Sequence, residues 1–98
     1  MSLPLVLRRR SQAEADEAID WYERQQVGLG VDFTNRVQAV FDRISATPEM
    51  YALVYRDVRK AHVRHLAYSV FYRIRADQVV VLAVFHNKRN PNIWKSRA

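Results

Sequence analysis

The sequence predicts an α+β fold: a helical hairpin packed on one face of a small, mostly antiparallel sheet, in the order β-α-α-β-β-β. Three observations carry this. Two stretches in the first half repeat apolar residues at helical spacing and are joined by a glycine pair. After Pro48 the apolar period falls to two. Residues 79–85 then form an unbroken apolar run, as a strand covered on both faces does. Ninety-eight residues make one domain, spanning 1–98, with no room for a second.

Taken in order, Leu3, Pro4, Leu5, Val6 and Leu7 read as a short strand. Pro4 lacks an N–H, which places it at a sheet edge or a strand start. Ser11 with Glu14 three residues later fits a capping box, so the first helix is expected over residues 11–26. Ala15, Ala18, Ile19 and Tyr22 form its apolar stripe, and Trp21 falls at the stripe's edge. Gly28 and Gly30 supply the reversal. Phe33, Val37, Val40, Phe41 and Ile44 then mark a second amphipathic helix, ended by Pro48. Residues 49–56 read as a loop, and 58–66 as one strand or a strand pair.

Residues 68–75 alternate clearly. Tyr68, Val70, Tyr72 and Ile74 should face the helices. Ser69, Phe71, Arg73 and Arg75 should form an open, basic, partly aromatic face. Ala76, Asp77 and Gln78 make a turn. By the same alternation His86 shares a side with Val80, Leu82 and Val84. Residues 87–98 read as a polar tail with a helical turn around Trp94.

The formal net charge is +6 and is unevenly spread. Residues 1–49 hold six Lys/Arg and eight Asp/Glu; residues 50–98 hold ten and two. The basic half points to an acidic partner, nucleic acid or protein, or else to a solvated surface that aids solubility. There is no cysteine, which excludes disulfides and thiolate metal sites. His62 and His65 alone make too few metal ligands, and the two glycines form no phosphate-cradling loop, so neither metal nor cofactor is expected. The longest apolar run is too short for a bilayer, and no apolar segment follows Arg8, Arg9 and Arg10 as a signal peptide requires. A soluble, cytoplasmic protein is the expectation.

Several markers, in order, resemble the RelE/ParE family of toxin–antitoxin toxins. They are Ala15-Asp16 with Trp21-Tyr22-Glu23, then Gly28-Leu29-Gly30 before Phe33, then Pro48 with Tyr51 and Val58-Arg59. Tyr68 with Phe71-Tyr72-Arg73 follows, and the ending carries Val84-Phe85-His86-Asn87-Lys88-Arg89-Asn90-Pro91, Trp94 and Arg97. The resemblance covers nearly the whole chain and implies a basic toxin neutralised by a cognate antitoxin. ParE-like members, plasmid-stabilisation toxins among them, poison DNA gyrase; RelE-like members cleave mRNA on the ribosome. Operator DNA is contacted only through the antitoxin.

The first reading is ParE-like: binding without catalysis. Its contact candidates are Trp21, Arg59, Arg64, Phe71, Arg73, Arg75, His86, Arg89, Trp94 and Arg97. Trp94 is either an interface anchor or a cover folded back over the sheet end. The alternative is a ribosome-dependent endoribonuclease, with His86 as acid and Arg59 and Arg73 clamping phosphate. Without that activity, His86 is a structural residue at the sheet's end.

Overall fold

The chain begins at one sheet edge and returns to pair beside it. The computed structural model describes residues 2–98. Its elements are β1 (Leu5–Leu7), α1 (Arg9–Gln25), α2 (Leu29–Ala46), β2 (Leu53–Tyr55), β3 (Val58–His62), β4 (Tyr68–Arg75), β5 (Gln78–His86) and α3 (Asn92–Lys95). The sheet order is β1-β5-β4-β3-β2, with β1 parallel to β5 and the other pairs antiparallel. The predicted order fits, except that the expected loop over 49–56 contains the short edge strand β2. Pro4 directly precedes β1, and its carbonyl accepts from Val79 N at 2.8 Å.

The first helix starts two residues earlier than expected. Arg8 N bonds to Val81 O at 3.1 Å, so the β1 ladder runs straight into the helix. Ser11 therefore lies inside the first turn, buried, and its hydroxyl donates to Val81 O at 2.8 Å. The capping box does not form, because a tertiary acceptor claims the serine and arginines claim Glu14.

The hairpin between the helices depends on a contact across it. Gly28 has φ of +95°, a left-handed conformation that suits glycine. The Glu23 carboxylate accepts from Gly28 N at 3.1 Å and from Gly30 N at 2.9 Å, capping α2 from the preceding helix. A Cβ on Gly30 would lie 3.0 Å from Glu23 Oε1 and 3.1 Å from Ile19 O, so α1 and α2 touch through glycine. At the far end Thr47 has left the helical region (φ −137°, ψ 73°), as a residue before proline should.

Two apolar layers flank the sheet. On the helix side Phe33, Val37, Val40 and Ile44 pack with Ala15, Ala18, Val70, Tyr72, Val79, Val81 and Val84. Burial pushes the Tyr72 phenol up to about 12, and its hydroxyl donates to Pro48 O at 2.6 Å. On the other side Val58, Phe71, Val80, Leu82, Ala83 and Phe85 pack beneath Trp94. The face expected to be open is therefore closed. Ser69, Phe71 and Arg73 are buried there, and only Arg75 remains exposed. The cause is α3, which folds back and stacks Trp94 on Phe71 with centroids 4.1 Å apart.

A β-bulge changes the expected sides of β5. Phe71 pairs with Ala83, but Tyr72 pairs with Val81, which leaves Leu82 as the extra residue. Val84 thus joins Val79 and Val81 on the helix side, while Val80, Leu82, Ala83 and Phe85 face α3. The predicted grouping of His86 and Val84 with Val80 and Leu82 is corrected accordingly. His86 lies across from Tyr68 on the helix side.

Candidate functional site

β1 pairs with β5 only over Val79, Val80 and Val81. Beyond that, the outer edge of β5 offers backbone groups with no strand beside them, and side chains take them. Arg97 Nη1 donates to Leu82 O at 3.1 Å, and Val84 N donates to Glu14 Oε1 at 3.2 Å. Glu14 also receives Arg97 at 2.9 and 3.0 Å and Arg89 at 3.3 Å. One nearly buried carboxylate thereby ties α1, β5 and the C-terminal segment together. Charge-assisted pairs of this kind offset the cost of taking the groups out of water.

Beside this clasp runs a groove of about 480 Å³, with Glu17, Trp21, Arg24, Tyr68, His86 and Arg89 among its walls. Trp21 is 50% exposed and stands edge-on to Tyr22 at 5.1 Å. The His86 ring stands edge-on to Tyr68 at 5.2 Å. Its Nδ1 accepts from Lys88 N at 3.1 Å, which leaves the proton of the neutral ring on Nε2. Burial raises the Tyr68 phenol, so it stays a neutral hydrogen-bonding group. An exposed indole rimmed by charges of both signs suits an amphipathic protein segment better than a small metabolite.

The predicted contact residues separate into two sets. Trp21, Arg64, Arg75, His86 and Arg89 are exposed or half-exposed. Phe71, Arg73, Trp94 and Arg97 are turned inward. Arg73 holds Asp57 at 2.7 Å, and that hydrogen bond keeps the Asp57 carboxyl below the ordinary carboxylate range. Trp94 takes the cover role. Arg59 Nη1 donates to Tyr51 O at 2.7 Å and Glu49 O at 3.1 Å, which pins the segment before β2. His62 Nε2 lies 2.9 Å from Leu66 O, beside the turn that carries His65 at φ 66°.

The three residues of the nuclease alternative do not converge. His86 pairs with Tyr68, whereas Arg73 pairs with Val80, five residues further along β4. That is about 17 Å of strand, and Arg73 is on the α3 side. Arg59 pairs with Tyr72, which faces the helices. Among the described residues no group of three or more His, Cys, Asp or Glu could hold a metal ion.

A family model described as "ParE toxin of type II toxin-antitoxin system, parDE" matches residues 5–91. The chain belongs to the ParE toxin family. Relatives called Toxin ParE2, from the CDC 1551 / Oshkosh and ATCC 25618 / H37Rv strains of Mycobacterium tuberculosis, are each 36% identical over 56 residues. The match covers 57% of this chain and 53% of theirs, so the chain spans about half the length of these relatives. A chain from the chromosomal ParDE TA system of P. aeruginosa superposes with a TM-score of 0.65. It is 14% identical and covers 87% of this chain and 96% of that one, a likeness of fold.

The ParE match stops at residue 91, before α3. Two residues central to the ParE-family fold here were not singled out by sequence reasoning. Sequence reasoning gives Glu14 a capping role and gives Asp57 none. Asp57 had a signal: it is one of only two acids in residues 50–98, and so a natural partner for a buried arginine. Glu14 had none, because its partners lie some 70 to 83 positions away.

Proposed function

We propose that this chain is the toxin of a type II toxin–antitoxin pair, that it acts in the cytoplasm by binding rather than catalysis, and that DNA gyrase is its target. The ParE family membership supports the toxin class. The observation that carries the non-catalytic reading is the scatter of His86, Arg59 and Arg73 over two faces and about 17 Å of strand. An acid and its phosphate clamp must lie within hydrogen-bond reach of one scissile group. Here each has a structural partner instead.

A cognate antitoxin neutralises the toxin by laying an amphipathic segment into the groove of Trp21, Tyr68, His86 and Arg89. Its interface is on the order of 2,000 Å² or more, as in permanent complexes. Such a pair stabilises the plasmid or chromosomal segment that carries it.

The test is pulse-labelling of new DNA and new protein in cells minutes after this chain is induced alone. An early fall in DNA synthesis with translation intact is the expected result. An early fall in translation, abolished by His86→Ala, would replace this reading with the ribosome-dependent nuclease.

A further inference from the structure

The sheet ends in an exposed apolar edge. Among the described residues seven large apolar side chains are exposed, and three of them lie within five consecutive positions. Met50, Leu53 and Val54 are 57%, 56% and 45% exposed. β2 is the last strand of the sheet, so one side of its backbone has no strand beside it. Its sequence, Leu53-Val54-Tyr55, contains neither a charge nor a proline, the residues that commonly blunt such an edge. Its two faces differ. Leu53 pairs with Arg59, which pairs with Tyr72, so Leu53 lies on the helix side. Val54 borders a groove on the α3 side.

That groove, of about 330 Å³, has Val54, Lys60, Phe71, Arg89, Trp94 and Lys95 among its walls, and no carboxylate of the described residues lines it. The cations around it are held by rings rather than by acids. Lys60 Nζ lies 5.9 Å from the Phe71 ring centre. Lys95 Nζ lies 5.4 Å from the ring centre of Tyr55 and 5.9 Å from that of Trp94. The Arg56 guanidinium lies 5.0 Å from the Tyr55 ring centre. Such contacts orient a cation without neutralising it. Among the described residues Arg56, Lys60 and Lys95 have no salt-bridge partner. Asp57, the acid nearest to β2 in the sequence, is held by Arg73 and Arg75. An apolar strand edge thus runs beside uncompensated positive charge.

We propose that the β2 edge docks an extended acidic segment of a partner protein. An added strand shows alternate side chains to the two faces of a sheet. Its carboxylates, on the α3 face, meet Lys60 and Lys95, with Arg56 beside them. Its apolar side chains, on the other face, meet Leu53. Two other occupants fit less well. A second copy of this chain would set the same cations against one another across a two-fold interface. A nucleic acid would answer the cations but leave the backbone edge and the exposed Leu53 and Val54 unused. The surface shares only Arg89 with the Trp21 groove, and it does not rest on the toxin reading.

The test is a two-dimensional ¹⁵N–¹H NMR titration of the full chain with a capped peptide of alternating glutamate and valine. The amides of Leu53, Val54 and Tyr55 and the Trp94 indole N–H shift and saturate. In the double variant K60E/K95E, with its spectrum otherwise that of a folded chain, binding is about tenfold weaker or lost. Leu53→Ser, on the exposed edge and with every cation kept, weakens binding as well. A peptide of alternating lysine and valine gives no saturable shift. No saturable shift at β2, shifts confined to Trp21, Tyr68 and His86, or equal affinity in the charge variant overturns the proposal. So does duplex DNA of arbitrary sequence saturating the same signals at a lower concentration than the peptide, which would assign the surface to nucleic acid. Signals that move on dilution of the chain alone would assign it to a second copy and overturn the proposal too.

Discussion

At the scale of single residues, Glu14 carries more of this molecule than any pattern in its neighbourhood suggests. It accepts from Val84 N, Arg89 and Arg97, and so joins elements from both ends of the chain. Glu14→Ala leaves the Arg97 guanidinium nearly buried and unpaired. The expected loss is about 3–5 kcal/mol of unfolding free energy, seen as a lower denaturant midpoint. Adding Arg97→Ala should recover part of it, since the pair couples. Asp57 makes a different prediction, about pH. The Arg73 hydrogen bond holds its carboxyl below the ordinary carboxylate range. Its contribution to stability is thus present in full above that range and is lost as pH falls through the lower folded value. Asp57→Asn should therefore flatten the acid limb of the stability–pH profile below about pH 4, measured by chemical denaturation at stepped pH.

At the scale of elements, the helices and the two faces of β4 are legible in the sequence, and the faces of β5 are not. Phe33, Val37, Val40 and Ile44 are all buried on the face their spacing predicts. Helical periodicity is set by local backbone geometry, so it survives folding. The face of a strand residue depends on one count along the strand, and the extra Leu82 shifts that count for everything after it. Nothing in an unbroken apolar run marks where a bulge falls, so plain alternation groups His86 and Val84 with Val80 and Leu82, from which the bulge separates them. The tail shows the same limit. A turn near Trp94 was readable, but its landing on Phe71 is a long-range event. Trp94→Ala should cost about 3–5 kcal/mol and should expose Phe71 and Phe85 to apolar dyes. A variant as stable as the parent would show that α3 is not a fixed cover.

At the scale of the whole molecule, charge and shape divide the work. The basic half of the sequence becomes a surface in which several arginines already have partners: Arg73 with Asp57, and Arg89 and Arg97 with Glu14. Among the described residues Arg56, Lys60, Arg64, Lys88 and Lys95 have no salt-bridge partner and are placed to steer an acidic partner such as the proposed antitoxin. The association rate with such a partner should fall about tenfold or more between low and high salt, while the dissociation rate changes little, as stopped-flow mixing can read. An association rate that ignores salt would assign recognition to the apolar groove alone.

The sequence by itself determined the fold class, the helical hairpin and the family, because these rest on local periodicity, glycine placement and ordered markers along the chain. Only the tertiary structure decided which candidate residues are reachable. The bulge at Leu82, the return of α3 and the Glu14 clasp each join residues far apart in sequence. A pairing made across the fold leaves no periodic trace in the segments it joins, so an arginine in a solvated tail and an arginine buried on a carboxylate read alike until the chain has folded.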